Sequence, residues 1–265
     1  MQKAVAIIPA RFNSTRFPGK PLAALKGKII IQHVYEHVSS AKLIDSVLIA
    51  TDDRRIFDAV TSFGGRAVMT SGSHVSGTDR IAEAAKEIEC AYVINVQGDE
   101  PFIMPEMVDE VVELLYNDAE VPISTLVKKT TDMNEILSPD VVKMVMNSDG
   151  FAMYFSRAPI PYYRDEWKTK KQGAGVRGRG SGEKDSEIRK VFCYKHIGIY
   201  GYRKSSLLRF TSLPQGRLEQ IEKLEQLRAL EAGMNIKVKE TEYDTFGIDT
   251  IEDLRKAEEW QNISL

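Results

Sequence analysis

Residues 3–22, KAVAIIPARFNSTRFPGKPL, join a short apolar run to a basic loop of small residues. The apolar part, residues 3–8, carries β-branched side chains and reads as a buried strand closed by Pro9. Outward from it the pattern alternates. Residues 29–38 have helical spacing, 46–50 read as a strand, and 53–63 as a helix stopped by Gly64 and Gly65. Residues 66–69 and 91–96 read as strands on either side of a helix over 78–89. Repeated strand–helix–strand order predicts an α/β fold, a mostly parallel twisted sheet flanked by helices.

Ligands of such sheets bind beyond the carboxyl ends of the strands. The segments at those ends are PARFNSTRFPGK, TDD, TSGSHVSGTDR and QGDEP. They hold much of the polar chemistry of the first half, so the topology predicts that they gather in one cleft.

The second half is less regular and predicts a smaller, partly antiparallel β subregion, about residues 135–215, within a single domain spanning 1–265. Residues 141–146 and 151–155 read as strands joined by the hairpin turn Asn147-Ser148-Asp149-Gly150. Residues 193–202 read as a further strand. Residues 218–232 read as one helix stopped by Gly233, with apolar residues at Leu218, Ile221, Leu224, Leu227 and Leu230. Strict spacing by three drifts around a 3.6-residue helix. Two explanations fit that drift: burial on several sides, or contact with another subunit. Residues 168–190 are rich in Gly, Lys and Arg and read as a mobile basic surface loop. Within it Gly173, Gly175 and Gly178 match G-x-G-x-x-G, but no strand precedes them and no amphipathic helix follows, so the dinucleotide-binding context is missing.

Composition narrows the function classes. Of 265 residues, 43% are hydrophobic and 28% charged, which suits an ordinary soluble core. A net charge of −2 disfavours nucleic-acid binding as the main role. Cys90 and Cys193 have no metal-ligand spacing and fit a reducing cytoplasm. The start resembles no signal peptide, and no run approaches the roughly 18 apolar residues of a membrane span.

In the first loop Arg11, Arg16 and Lys20 are interleaved with Asn13, Ser14, Thr15 and Gly19. Three cations and small hydrogen-bonding residues at a strand end suit a polyphosphate. A Walker A sequence is absent, which disfavours hydrolysis of the P-loop kind. Asp99 follows a buried strand and a glycine, where a carboxylate can hold Mg²⁺. Asp249 is a second candidate for the ion, and equally a candidate N-cap of a final helix over 251–260.

Taken together, IPARFNSTRFPGKPL, ATDD, MTSGSHVSGTDR, NVQGDEP, YFSRAPIP, KHIGIYGYR, LEQIEKLEQLR and GIDT resemble the 3-deoxy-manno-octulosonate cytidylyltransferase (CMP-Kdo synthetase) family, in that family's order and over nearly the whole chain. The resemblance implies a nucleotide-diphospho-sugar transferase-like fold, a homodimer, and Mg²⁺-dependent transfer of CMP from CTP to Kdo for lipopolysaccharide synthesis. It implies that Arg11, Arg16 and Lys20 surround the triphosphate, and that Ala10, Ser71, His74, Ser76, Gly77 and Gln97 lie in the nucleotide segments. By the same resemblance Asp99 and Asp249 are the metal ligands, and Arg157, His196, Tyr200, Glu219 and Gln220 lie in the sugar segments. Kdo carries a carboxylate, which an arginine and a histidine suit. Residue type alone also allows Arg157 a surface ion pair and His196 a satisfied place in a strand. Residues 168–190 look longer than is usual for the family and fit decoration, a lid or a docking surface. Three other readings remain: activation of sialic acid or 8-amino-Kdo, a regulatory nucleotide binder without turnover, and nucleic-acid contact through Arg177-Gly178-Arg179.

Overall fold

The computed structural model describes residues 3–13, 16–165 and 191–259. The basic loop expected over 168–190, with its glycine and arginine motifs, lies outside them. The chain opens with β1 (Ala4–Ala10), a 3-10 turn (Lys20–Leu22) and a ribbon of β2 (Ala24–Leu25) and β3 (Lys28–Ile29). Then follow α1 (Ile30–Ser39), β4 (Ser46–Thr51), α2 (Arg54–Ser62), β5 (Ala67–Met69), α3 (Gly77–Lys86) and β6 (Tyr92–Asn95). Next come α4 (Pro105–Asn117), β7 (Ile123–Thr130), α5 (Met133–Leu137), β8 (Lys143–Met146) and β9 (Ala152–Ser156). The rest is β10 (Cys193–Arg203), α6 (Lys204–Ser212), α7 (Arg217–Glu222), α8 (Gln226–Glu231), β11 (Ile236–Glu240) and α9 (Ile251–Glu259).

The main sheet runs β11–β7–β10–β6–β1–β4–β5, with the β8–β9 hairpin branching from β10. β1 is parallel to both β4 and β6, and β4 is parallel to β5. β10 is antiparallel to β6, β7 and β8. The expected α/β class, with an antiparallel subregion, is therefore what the chain forms. The chain leaves β1 toward β4 and β5, then returns to place β6 on the other side. That reversal makes β1–β6 the topological switch point, where the crevice opens.

β1 reads as a continuous apolar run because it is buried on both faces. Ala6 and Ile8 join a core with Ile31, Val34, Ile49, Ile94, Met107 and Val111. Val5 and Ile7 face the other way, into a core with Leu48, Ile81, Ala85, Val93, Phe210 and Leu227. Each fully buried Ile or Val contributes about 1.5–3 kcal/mol.

Two expectations need correction. β1 does not stop before Pro9 but runs through it to Ala10. Its pairing with β6 ends at Ile7↔Asn95, so Pro9 sits where that ladder has already opened and its missing N–H costs little there. The helix expected over 218–232 is two short helices, α7 and α8, separated at Lys223, which adopts φ 55. The break resets the helical phase. Leu224 and Leu227 are buried while Ile221 is 65% exposed, so the spacing by three reflects a kink rather than all-round burial.

Candidate active site

The loops at the ends of β1, β5 and β6 enclose a polar cavity of about 410 Å³. Ala10, Arg11, Arg16, Lys20, His74, Ser76, Gly77, Gln97, Asp99 and Asp249 line it, together with Pro9, Asn13, Pro21, Arg80 and Gly98. The structure thus brings together the nucleotide and metal residues expected from sequence, with Ser71 outside the lining.

The first loop is closed at its base. Gly19 N donates to Phe12 O at 2.9 Å, and Gly19 takes φ 74, a left-handed conformation that only glycine adopts readily. A side chain there would also meet the Phe12 ring at 3.0 Å. That ring also carries the Arg55 guanidinium, 3.3 Å from its centroid. Arg55 is held in turn by Asp53, which also caps α2. The turn that follows Gly19 then delivers Lys20 into the cavity.

The β6 loop comes close to β1. A Cβ on Gly98 would lie 2.8 Å from Pro9 O, so this approach requires glycine. Asp99 is carried on that approach. Its carbonyl accepts from Ile248 N at 2.9 Å, which brings in the segment bearing Asp249. Ile248 is itself buried with Leu25, Ile30, Phe102 and Ala257.

Asp249 is not the N-cap of α9. Thr250 fills that position, since its Oγ1 accepts from Asp253 N at 3.1 Å and Asp253 Oδ2 accepts from Thr250 N at 2.9 Å. The Asp249 carboxylate turns to the cavity instead. Its Oδ2 accepts from Arg16 Nη2 and its Oδ1 from Lys20 Nζ, both at 3.0 Å. Lys20 Nζ also donates to Asp99 Oδ2 at 2.5 Å. Burial lowers the proton affinity of this ammonium, but the two carboxylates outweigh it and hold the Lys20 pKa above its usual value. Asp99 and Asp249, distant in sequence, therefore converge on one cationic point.

That convergence fits a hard divalent cation. Among the described residues no group of three or more His, Cys, Asp or Glu could hold a metal. Two carboxylates with the remaining positions filled by water and phosphate oxygens suit Mg²⁺ better than an all-protein cage would.

Three further residues belong to the site and escaped the sequence reading. Arg80, on α3, lines the cavity and is buried, with Nη1 on Thr70 Oγ1 at 2.6 Å and Nη2 on Asp52 Oδ2 at 3.0 Å. Glu83 accepts from Ser71 N at 3.0 Å and touches His74 Nε2, so it shapes the segment between β5 and α3. Glu100 follows Asp99 in the chain and accepts from Thr245 Oγ1 at 2.5 Å. Burial, reinforced by the Asp99 and Asp249 charges, pushes the Glu100 carboxyl up to about 7 against that hydrogen bond. A TDR triplet and two acids in QGDEP were the available signals, and neither says which way a side chain points. Ser76 is occupied as the α3 N-cap, accepting from Asp79 N at 3.1 Å.

The expected sugar residues lie outside the cavity lining and are engaged within the protein. Arg157 donates from Nε to Glu222 O and from Nη1 to Pro139 O, each at 2.9 Å. His196 Nε2 is 2.9 Å from Thr125 Oγ1, and its ring packs on Phe155 and Tyr200. Burial lowers the His196 pKa to about 3, so its ring is neutral. Tyr200 is buried. Glu219 is held by Arg228 at 2.8 and 2.6 Å and accepts from Gly216 N. Gln220 Nε2 is 3.4 Å from Gln215 O. Glu225, two residues beyond the break, is the acid that reaches the nucleotide side. Its Oε2 accepts from Thr78 Oγ1 at 2.6 Å, while its Oε1 is buried without a hydrogen bond. The second Leu-Glu of LEQIEKLEQLR was its signal. At the β10 bulge, Gly198 stands opposite Gln97, where a Cβ would lie 3.6 Å away, so the two regions share a wall.

Comparison with known proteins gives the family and the fold. The cytidylyltransferase family profile matches residues 5–236. A 3-deoxy-manno-octulosonate cytidylyltransferase of Thermodesulfovibrio yellowstonii is 50% identical over 97% of this chain and 98% of its own. One of Geobacter metallireducens is 48% identical over 97% of both chains. A solved CMP:2-keto-3-deoxy-manno-octonic acid synthetase, complexed with CTP, superposes with a TM-score of 0.85 at 40% identity, covering 97% of both chains. A glucose-1-phosphate thymidylyltransferase of Bacillus anthracis shares the fold, with a TM-score of 0.65 at 14% identity over 99% of this chain and 97% of that one.

Proposed function

The chain belongs to the 3-deoxy-manno-octulosonate cytidylyltransferase family and transfers CMP from CTP to Kdo with release of pyrophosphate; from that premise we propose that the reaction runs in the β1–β6 cavity with Mg²⁺ held by Asp99 and Asp249. The observation that carries the metal assignment is the convergence of these two carboxylates on Lys20 Nζ. When bound, Mg²⁺ would neutralise phosphate charge and favour ionisation of the attacking sugar hydroxyl.

The chain's own residues position and neutralise. The anomeric oxygen of Kdo forms a bond to the α-phosphorus as the bond to the bridging pyrophosphate oxygen breaks in line. The attacking oxygen belongs to the substrate, so no side-chain nucleophile enters. Arg11, Arg16 and Lys20 bear on the triphosphate and stabilise the leaving pyrophosphate. Ala10, Gln97 and the segment from Ser71 to Gly77 hold the nucleoside, and the N-terminal end of α3 adds backbone dipole there. The acceptor side is the wall around the β10 bulge and Arg157, with the neutral His196 and Tyr200 packed behind it. Glu219 and Gln220 support that wall through α7.

The product, an activated Kdo, suits lipopolysaccharide assembly. A cytoplasmic site of action agrees with two free cysteines, and no helix among the described residues is long and apolar enough to cross a membrane. A homodimer would cover the exposed Met153 and Ile221, on β9 and α7, which Ser156 and Glu222 join; light scattering on the purified protein tests it.

The deciding assay follows pyrophosphate release from CTP with Kdo, 8-amino-Kdo and sialic acid, with and without Mg²⁺. Turnover restricted to CTP, Kdo and Mg²⁺ supports the reading. Full turnover in a chelator overturns the metal role, and preference for another acid moves the acceptor assignment.

A further inference from the structure

Lys20 has two sets of partners available and one ammonium. In this structure it serves the carboxylates, at 2.5 Å from Asp99 and 3.0 Å from Asp249. Arg16 takes the remaining Asp249 oxygen at 3.0 Å. Three of the four carboxylate oxygens at the centre thus already face a protein cation. The count of charge is balanced: two carboxylates against one ammonium and one guanidinium.

A divalent cation entering this arrangement would meet Lys20 at the point where both carboxylates converge. Lys20 is only 9% exposed, so it has little water to retreat into. Its backbone is fixed by the Gly19 turn and by Pro21, and hence any exchange is a rotation of the flexible four-carbon stem. A triphosphate supplies the alternative anion for both Lys20 and Arg16. It removes two positive charges from Asp99 and Asp249 and leaves a bare carboxylate pair beside phosphate oxygens, a favourable site for a hard ion.

We propose that Lys20 is an exchangeable counter-ion, which closes the Asp99–Asp249 pair until a triphosphate draws it away, so that the divalent cation and CTP bind cooperatively. This inference rests on the reading of Asp99 and Asp249 as the metal ligands. Its thermodynamic consequence is reciprocal: whatever loosens Lys20 from the carboxylates tightens the metal, with or without nucleotide.

The test needs no turnover. Mn²⁺ is titrated into the full-length protein without nucleotide, and free Mn²⁺ is read by electron paramagnetic resonance. The variants are Lys20→Met, Lys20→Gln, Lys20→Arg, Asp99→Asn and the Lys20→Met/Asp99→Asn pair. Circular dichroism confirms folding, and Lys20→Gln replaces Lys20→Met if the latter does not fold. The exchange predicts that removing the ammonium tightens Mn²⁺ about tenfold or more, within the usual range of such couplings. Lys20→Arg stays close to wild type, and the double variant loses the gain. If Lys20→Met and Lys20→Gln bind Mn²⁺ no more tightly than wild type, while Asp99→Asn weakens it, the exchange is wrong and the metal assignment stands. If the gain in Lys20→Met survives Asp99→Asn, both fall.

Discussion

The nucleotide side and the acceptor side of this molecule are built on opposite plans. On the nucleotide side, parallel strands end together, and their loops present Arg11, Arg16, Lys20, Asp99 and Asp249 to a shared cavity. Arg16, Lys20, Asp99 and Asp249 pair across the cavity with one another. On the acceptor side, β10 runs antiparallel and carries the β8–β9 hairpin, and α8 of the broken α7–α8 unit packs on β9. There the polar side chains pair inside the protein: Glu219 with Arg228, Arg157 with backbone carbonyls, His196 with Thr125. One side holds its chemistry ready for ligand, and the other invests much of it in holding a wall in place.

The sharpest way to break this contrast is to substitute one residue on each side. Asp99→Asn and Asp249→Asn should each lower kcat about a thousandfold, on the scale of lost transition-state charge stabilisation, and leave the unfolding midpoint within a few degrees of wild type. Steady-state kinetics beside a thermal melt reads both, and near-normal turnover in either variant removes the metal assignment. Glu219→Ala should do the reverse. It leaves the buried Arg228 guanidinium with only the 3.8 Å ion pair to Glu225, so urea unfolding should show a loss of about 3 kcal/mol. If stability holds and only the KM for Kdo rises, Glu219 is a sugar ligand after all and the contrast blurs.

The same contrast explains what was legible in the sequence. Alternation of strands and helices from residue 3 to 96 predicted the parallel half, because β1, β4 and β6 are buried on both faces and read as unbroken apolar runs. The strand-end rule then collected the loops without further information. The kink at Lys223 was not legible, because a left-handed lysine leaves no mark in composition and spacing by three suits a continuous helix as well. Nor was the commitment of Glu219, since its partner Arg228 lies beyond the kink. Asp249 was ambiguous for a simpler reason. Asp249 and Thr250 are both good caps, and only geometry separates them.

His196 sharpens the acceptor side through pH. Burial depresses its folded pKa to about 3, below the usual histidine value of about 6.5. Between those values the unfolded chain binds a proton that the folded chain refuses. Stability therefore falls as pH drops from about 6.5 toward about 3, by about 1–2 kcal/mol at pH 5 from this residue. His196→Gln should reduce the loss of stability between pH 7 and pH 5 by that amount. An unchanged difference would mean that His196 titrates near its usual value in the folded protein.

The smallest effect tests the boundary between metal binding and helix capping at residues 249 and 250. Thr250 Oγ1 satisfies Asp253 N at the start of α9, and Asp253 returns the bond to Thr250 N. Loss of such a cap costs about 1 kcal/mol, so Thr250→Ala should lower stability by that much. Its effect on kcat should be small, because Ile248 remains buried and bonded to Asp99 O and continues to aim Asp249 at the cavity. Asp249→Asn should show the opposite pair of results. If Thr250→Ala instead reduced turnover as far as Asp249→Asn does, the cap would be what orients the carboxylate. The anchoring of Asp249 would then belong to α9 rather than to the link between Ile248 and the β6 loop.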